Sequence, residues 1–216
     1  LRASAKRIRR AVVRMHQTGP NVGSALSCVD ILAVLYGDVL RGAGPDDPAR
    51  DRFVLGKGHA ASALYAALVE RGWLAPEVLE GYLRTGSGLV GHPVRGAVPG
   101  VDVSSGSLGH GLPVALGMAL AAKRARAAWR VFVLLGDGEC QEGSVWEAAA
   151  LAARLGLDNL IAIVDANGLQ GYARSDEILP RAHVAAAFAA FGWQTVDVDG
   201  HDPAALRDHL AAASPA

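Results

Sequence analysis

Asp137 and Asn167 stand 30 positions apart, each just past an apolar run, VFVLLG and LIAIVDA. That interval is about one strand–helix–strand unit. With parallel strands and right-handed crossovers, both residues arrive at the same sheet edge, the C-terminal one, where open α/β sheets bind ligands. A carboxylate, a side-chain amide and a nearby carbonyl are hard oxygen donors. They suit Mg²⁺ or Ca²⁺, with phosphate oxygens and water filling the remaining positions. Gly136 and Gly138 flank Asp137 and let the backbone come close to a phosphate. An ordinary Asp-Gly turn and an ordinary Asn-Gly turn would use the same residues. Their coincidence at two strand ends favours the ligand reading.

The elements that must position these residues are legible in outline. A basic helix covers 1–17, with Arg2, Lys6, Arg7, Arg9, Arg10 and Arg14 around Ile8, Val12, Val13 and Met15; such a charge run reads as a solvated face or subunit contact before an acidic-partner dock. Ser27 is placed to cap a second helix, CVDILAVLYGDVL, ending near Gly42. RFVL (52–55) reads as a strand, 59–70 as a helix, and 76–83 as a short helix opened by Pro76. Residues 84–107 form a long Gly- and Pro-rich loop, which inside a compact domain is usually functional. A helix over 108–127, a strand over 130–135, the helix SVWEAAALAARLGL and the strand LIAIVDANG follow. A further helix (181–191), a strand WQTVDV (193–198) and a helix opened by Asp202 and Pro203 end the chain. Alternating helices and doubly apolar strands predict one α/β domain over 1–216, a parallel sheet with helices on both faces.

Composition sets limits. The chain has 216 residues, 51% hydrophobic and 19% charged, too apolar for a disordered segment. Lys+Arg 21 against Asp+Glu 21 offers no global charge for nucleic acid. No apolar run is long enough to span a membrane, and no secretory h-region follows the basic start. Two cysteines, Cys28 and Cys140, make neither a disulfide framework nor a zinc site, so a reducing, cytoplasmic setting is expected. Glycine, 26 residues in 216, is in excess of the usual share of about 7%. No G-x-G-x-x-G follows an early strand, which argues against a nicotinamide-binding domain.

Seven segments carry a resemblance: GSALSCVDILAVLY (23–36), RDRFVLGKGHAA (50–61), GHP (91–93), PGVDVSSGSLGHGLPVALGMALAAK (99–123), GDGECQEGSVWEA (136–148), DANGLQG (165–171) and VDGHD (198–202). In this order they resemble the N-terminal, thiamine diphosphate-binding half of transketolases, especially the split bacterial kind. The resemblance implies the thiamine diphosphate-binding fold, with thiamine diphosphate and Mg²⁺ (or Ca²⁺) as cofactors. It implies that Asp137, Asn167 and the Leu169 carbonyl hold the metal, that the Gly138 amide meets the diphosphate, and that Gly106, Ser107 and Leu108 meet the aminopyrimidine ring. His59 is expected near the diphosphate and reacting centre, and His92 on the donor's hydroxyls. Glu142 and Glu147 resemble an acidic pair at the subunit interface near the cofactor. His201 matches a family position and is expected to shape a turn. His16, His183 and His209 lie outside the matching motifs and are read as structural. GKGHA and GHP argue against a 2-oxo acid dehydrogenase subunit, which shares only the GDG…N pattern.

The implied activity is two-carbon ketol transfer by one subunit of a split enzyme, acting on a small sugar or keto substrate. A C-terminal, pyrimidine-domain subunit would be the partner, in a dimer of such pairs. That half supplies the glutamate facing the pyrimidine N1′ and the sugar-phosphate contacts, so the chain is not expected to act alone. One position departs from the family: Asn21 stands where a His-x-Gly-Ser loop usually carries histidine. Asparagine hydrogen-bonds a substrate oxygen but shuttles no proton at neutral pH. This points to a variant substrate. It also keeps open a thiamine-dependent carbon–carbon-forming synthase of another class, or a non-catalytic cofactor-binding scaffold subunit.

Overall fold

The computed structural model describes residues 1–16, 21–178 and 184–213. Its centre is a three-stranded parallel sheet in the order β1 (Arg52–Leu55), β2 (Val131–Gly136), β3 (Leu160–Asp165). Leu55 pairs with Leu134 and Gly136 with Asp165, so all three strands run out at one edge. β2, the middle strand, is buried from Val131 to Leu135, as an apolar strand covered on both faces must be.

The period-2 alternation of the strands divides the core in two. Phe53, Leu55, Phe132 and Leu134 point into one cluster with α1 (Arg2–Met15), α3 (Val29–Val34) and α4 (Ala61–Glu70). Val54, Val131, Val133 and Leu135 point into the other, with α5 (Gly111–Ala125) and α6 (Gly143–Arg154). Helices therefore cover both sheet faces, as the sequence pattern predicts. In α1, Ala5, Ile8 and Val12 form the buried stripe. Its basic face is partly neutralised within the chain, Arg7 against Glu70 and Arg9 against Asp30. Burial pushes the thiols of Cys28 and Cys140 up to about 12, and both are free.

Three expectations are corrected. The second helix begins earlier than its apolar run: α2 (Val22–Ser27) leads to Cys28, where the axis breaks before α3 and a π-turn at Leu35–Val39. Ser27 caps nothing, because its hydroxyl is drawn into a buried polar cluster at the sheet edge. Residues 193–198 join no strand ladder. Trp193 is held against α6, its indole N–H donating to the Ala149 carbonyl at 2.9 Å, and Val196 beyond it is 59% exposed. β propensity without a neighbouring strand builds no ladder. Of the expected helix 181–191, α8 (Val184–Ala190) is seen and 181–183 lie outside the described residues, His183 among them. α7 (Ser175–Ile178) precedes it. The last helix, α9 (Pro203–Ala212), opens as expected, with the Asp202 carboxylate accepting from the Ala204 and Ala205 amides.

Candidate active site

At the C-terminal edge of β2, Asp137 is tied to the turn after β3. One carboxylate oxygen accepts from the Gly168 amide at 2.9 Å and the Ser175 hydroxyl at 2.7 Å, the other from the Gly138 amide at 2.8 Å. Asn167 Oδ1 accepts from the Leu169 amide at 2.9 Å. The two residues read from spacing alone thus meet on one turn, joined through Gly168 and Leu169. Gly168 has φ +75°, a conformation glycine adopts without strain. Among the described residues no three His, Cys, Asp or Glu side chains converge as a metal cluster. A cation here would rest on one carboxylate, one amide and one carbonyl oxygen, a hard and incomplete donor set that needs a ligand's phosphate oxygens to complete it. The residues therefore fit a metal-anchored diphosphate.

A second group of residues converges beside it. The turn Gly58–Ala60 carries His59, and Gly58 lies so close to the 105–106 backbone that an added methyl would fall 2.8 Å from the Gly106 nitrogen. Gly106 in turn packs on His92, whose Cδ2 would sit 3.0 Å from such a methyl. His92, Gly106 and Ser107 line a cavity of about 490 Å³ with Val90, Val94 and Val114, a volume that suits a small organic ligand. Burial first, then the charges of Lys57 and His92, pushes the half-buried His59 imidazole below its ordinary value, so it is neutral near pH 7 and able to accept a proton. Leu108 is exposed on the same loop. Glu142, exposed, packs its Cβ against Gly109 at the start of α6. Glu147, also exposed, lies within α6. Asn21, exposed, begins α2 in the left-handed conformation with φ +69°, and α2 packs on the His59 turn.

Lys57, Asp165, Ser27 and Glu139 are the residues that sequence reasoning missed. Lys57 is 1% exposed and pairs with Asp165, while the Ser27 hydroxyl donates to Asp165 at 2.6 Å. This cluster ties α2, and with it Asn21, to the ends of β1 and β3. Glu139, also 1% exposed, accepts from the Gly109 amide at 3.1 Å and the Gly136 amide at 3.2 Å. Burial pushes its carboxyl up, against the two amide bonds that pull it down. It clasps the Gly106–Gly111 loop to the end of β2, with Gly56 bare beneath its carboxylate. A charged residue next to a motif glycine was the available signal, but only the fold shows that it is buried. The His201 Nδ1–H donates to the carboxylate of buried Asp30 at 2.9 Å, and His16 meets the Ser62 hydroxyl at 2.7 Å.

A parallel sheet with glycine-rich turns, hard oxygen donors and two histidines gathered at its C-terminal edge defines an α/β domain that binds a phosphorylated cofactor. Residues 3–216 match the family described as transketolase, thiamine diphosphate binding domain, and the chain belongs to that family. It is 43% identical over 185 residues to an apulose-4-phosphate transketolase subunit of Phocaeicola vulgatus, covering 84% of this chain and 65% of that protein. It is 41% identical over 220 residues to the subunit of the same name in Actinobacillus succinogenes, covering 100% of this chain and 80% of that one. The transketolase structure from Leishmania mexicana superposes with a TM-score of 0.86 at 31% identity, over 98% of this chain and 34% of that chain. The chain thus spans just under two thirds of the first of these subunits, four fifths of the second and about a third of the solved transketolase. No helix among the described residues is long and apolar enough to cross a membrane.

Proposed function

We propose that the chain serves as the diphosphate-binding subunit of a two-subunit transferase that moves a two-carbon ketol unit, dependent on thiamine diphosphate and Mg²⁺. The observation that carries this reading is the meeting of Asp137 and Asn167 on one turn, beside the loop that joins His59, Gly106 and His92. Asp137, Asn167 and the Leu169 carbonyl would hold the metal, and the Gly138 amide, which donates to Asp137 in this structure, would be shared with the diphosphate. The backbone of Gly106, Ser107 and Leu108 would bind the pyrimidine ring. When bound, thiamine diphosphate supplies the electron sink that bond cleavage beside a ketone requires.

The chain's own side chains have separate tasks. Neutral His59 accepts a proton from a donor hydroxyl and returns it. His92, on the cavity wall, orients the donor's hydroxyl oxygens. Asn21 donates or accepts a hydrogen bond at the entrance and moves no proton. Glu142 borders the ring-binding loop on the side where a partner would close it. Val90, Val94, Val114 and Leu108 leave an exposed apolar rim around the cavity, the kind of surface that a partner covers. A C-terminal, pyrimidine-domain subunit is the partner this reading requires, in a dimer of such pairs. A cytoplasmic location accords with two free, buried cysteines.

Mixing tests the reading. The purified chain alone is expected to give no ketol transfer, and addition of the pyrimidine-domain subunit to restore it; full turnover by the chain alone would refute the need for a partner. Asn21 narrows the substrate. A missing proton shuttle costs roughly 10²–10⁴-fold in the step it serves, so slow transfer from xylulose 5-phosphate to ribose 5-phosphate is expected. Asn21→His should raise that rate. Left-handed backbone accepts both residue types, so the variant is expected to fold. Fast wild-type turnover on this pair would remove the variant-substrate reading. The relatives named for apulose-4-phosphate make that sugar phosphate the first alternative to assay.

A further inference from the structure

Gln170 holds none of the tasks assigned to its neighbours, yet its position is unusual. It follows Leu169 on the turn after β3, and its main chain is pinned there, the Gln170 amide N–H donating to the Ala173 carbonyl at 2.9 Å. The side chain folds back over Gly138: a methyl on that glycine would meet the Gln170 Cδ at 2.8 Å and Cγ at 3.0 Å. Glycine at 138 is therefore what lets the carboxamide lie there. The amide nitrogen Nε2 is buried and has no hydrogen-bond partner among the described residues. A buried donor left unpaired is costly, and such groups are few in folded proteins.

The missing acceptor has a definable chemistry. The carboxylate of Asp137, the residue before Gly138, is already engaged by the Gly138 and Gly168 amides and the Ser175 hydroxyl. The Asn167 oxygen accepts from Leu169. Both are the oxygens that a cation would also claim. An acceptor for Gln170 must then arrive with the ligand, be anionic or strongly polar, and lie over the Asp137–Gly138 turn.

We propose that Gln170 is a further diphosphate-binding residue, its carboxamide N–H donating to a phosphate oxygen of thiamine diphosphate over Gly138. The inference rests on the cofactor assignment under Proposed function. A hydrogen bond to a charged oxygen is worth enough that its loss weakens binding about tenfold to a hundredfold. The opposite end of the same amide could instead offer oxygen to the metal, and the two roles make opposite demands on the side chain.

The test uses the full chain assembled with its partner, with thiamine diphosphate at saturating Mg²⁺ as probe. Affinity is read from calorimetry and from the quenching of tryptophan fluorescence, and Tm is measured on the same samples without ligand. Gln170→Met keeps length and packing over Gly138 and removes the donor. Gln170→Glu keeps the shape and replaces the donor with negative charge. Expected are weaker binding in Q170M by about tenfold to a hundredfold, still weaker binding in Q170E, and an unchanged Tm in both. Wild-type affinity in Q170M would overturn the proposal. Wild-type or tighter binding in Q170E would assign the side chain to the metal and overturn it equally. A loss of affinity in step with Tm would make Gln170 structural. If the wild-type complex binds no thiamine diphosphate, the cofactor assignment itself fails and this inference falls with it.

Discussion

Asp137→Ala is expected to remove Mg²⁺-dependent binding of thiamine diphosphate, by at least about a hundredfold in affinity. Loss of a group that merely supports a metal ligand already costs roughly 10–100-fold, and Asp137 is the only carboxylate in the proposed donor set. The substitution also frees the Gly138 and Gly168 amides and the Ser175 hydroxyl, which now converge on its two oxygens. The turn that presents Asn167 therefore loses its anchor as well as its charge. Asp137→Asn separates the two effects, since it preserves the shape and one acceptor oxygen while removing the negative charge. Calorimetric titration of the assembled complex at fixed Mg²⁺ is the measurement. Affinity in Asp137→Ala equal to wild type would show that the metal sits elsewhere.

Lys57→Met is expected to have the largest effect on stability. Lys57 and Asp165 are 1% and 6% exposed and pair with each other, with the Ser27 hydroxyl as the third member. Removing the cation strands a buried carboxylate, which typically costs about 3–5 kcal/mol. For a chain of this size that corresponds to a Tm lower by roughly 6–20 °C. Asp165→Asn in the same background removes the stranded charge and should recover part of the loss. Thermal unfolding of the single and double variants reads both. A Tm within a degree or two of wild type for Lys57→Met would mean that Asp165 finds another partner or reaches water. Because the Asp165 carbonyl accepts from the Asp137 amide at 3.3 Å, the single variant should also weaken cofactor binding.

Much of this was legible in residue order. Hydrophobic period and strand–helix alternation were enough to place β1, β2, β3 and most of the helices around them, because a strand covered on both faces has few places for a polar side chain. Spacing brought Asp137 and Asn167 to one edge, since a crossover of that length returns the chain to the same side of the sheet. The motif residues His59, Gly106 and His92 were singled out through the family resemblance, and their contacts follow from glycines at 58 and 106 that let two loops touch. The strand expected at 193–198 failed for the opposite reason: its residues suit a strand, but pairing depends on a neighbour that no local pattern describes, and Trp193 is committed to α6 instead.

The sequence by itself determined the layered α/β class, the arrival of Asp137 and Asn167 at one strand-end edge with their oxygen-bearing side chains, and the presence of Asn21 before Gly23 and Ser24. Only the tertiary structure decided that Lys57 and Glu139 are buried, that Glu142 packs against Gly109 of the Gly106–Gly111 loop, and that Gln170 folds over Gly138. These are matters of solvent exposure and of contact between segments far apart in the chain. Burial changes what a charged side chain costs and does, and a residue's type carries no record of which distant backbone will come to lie across it.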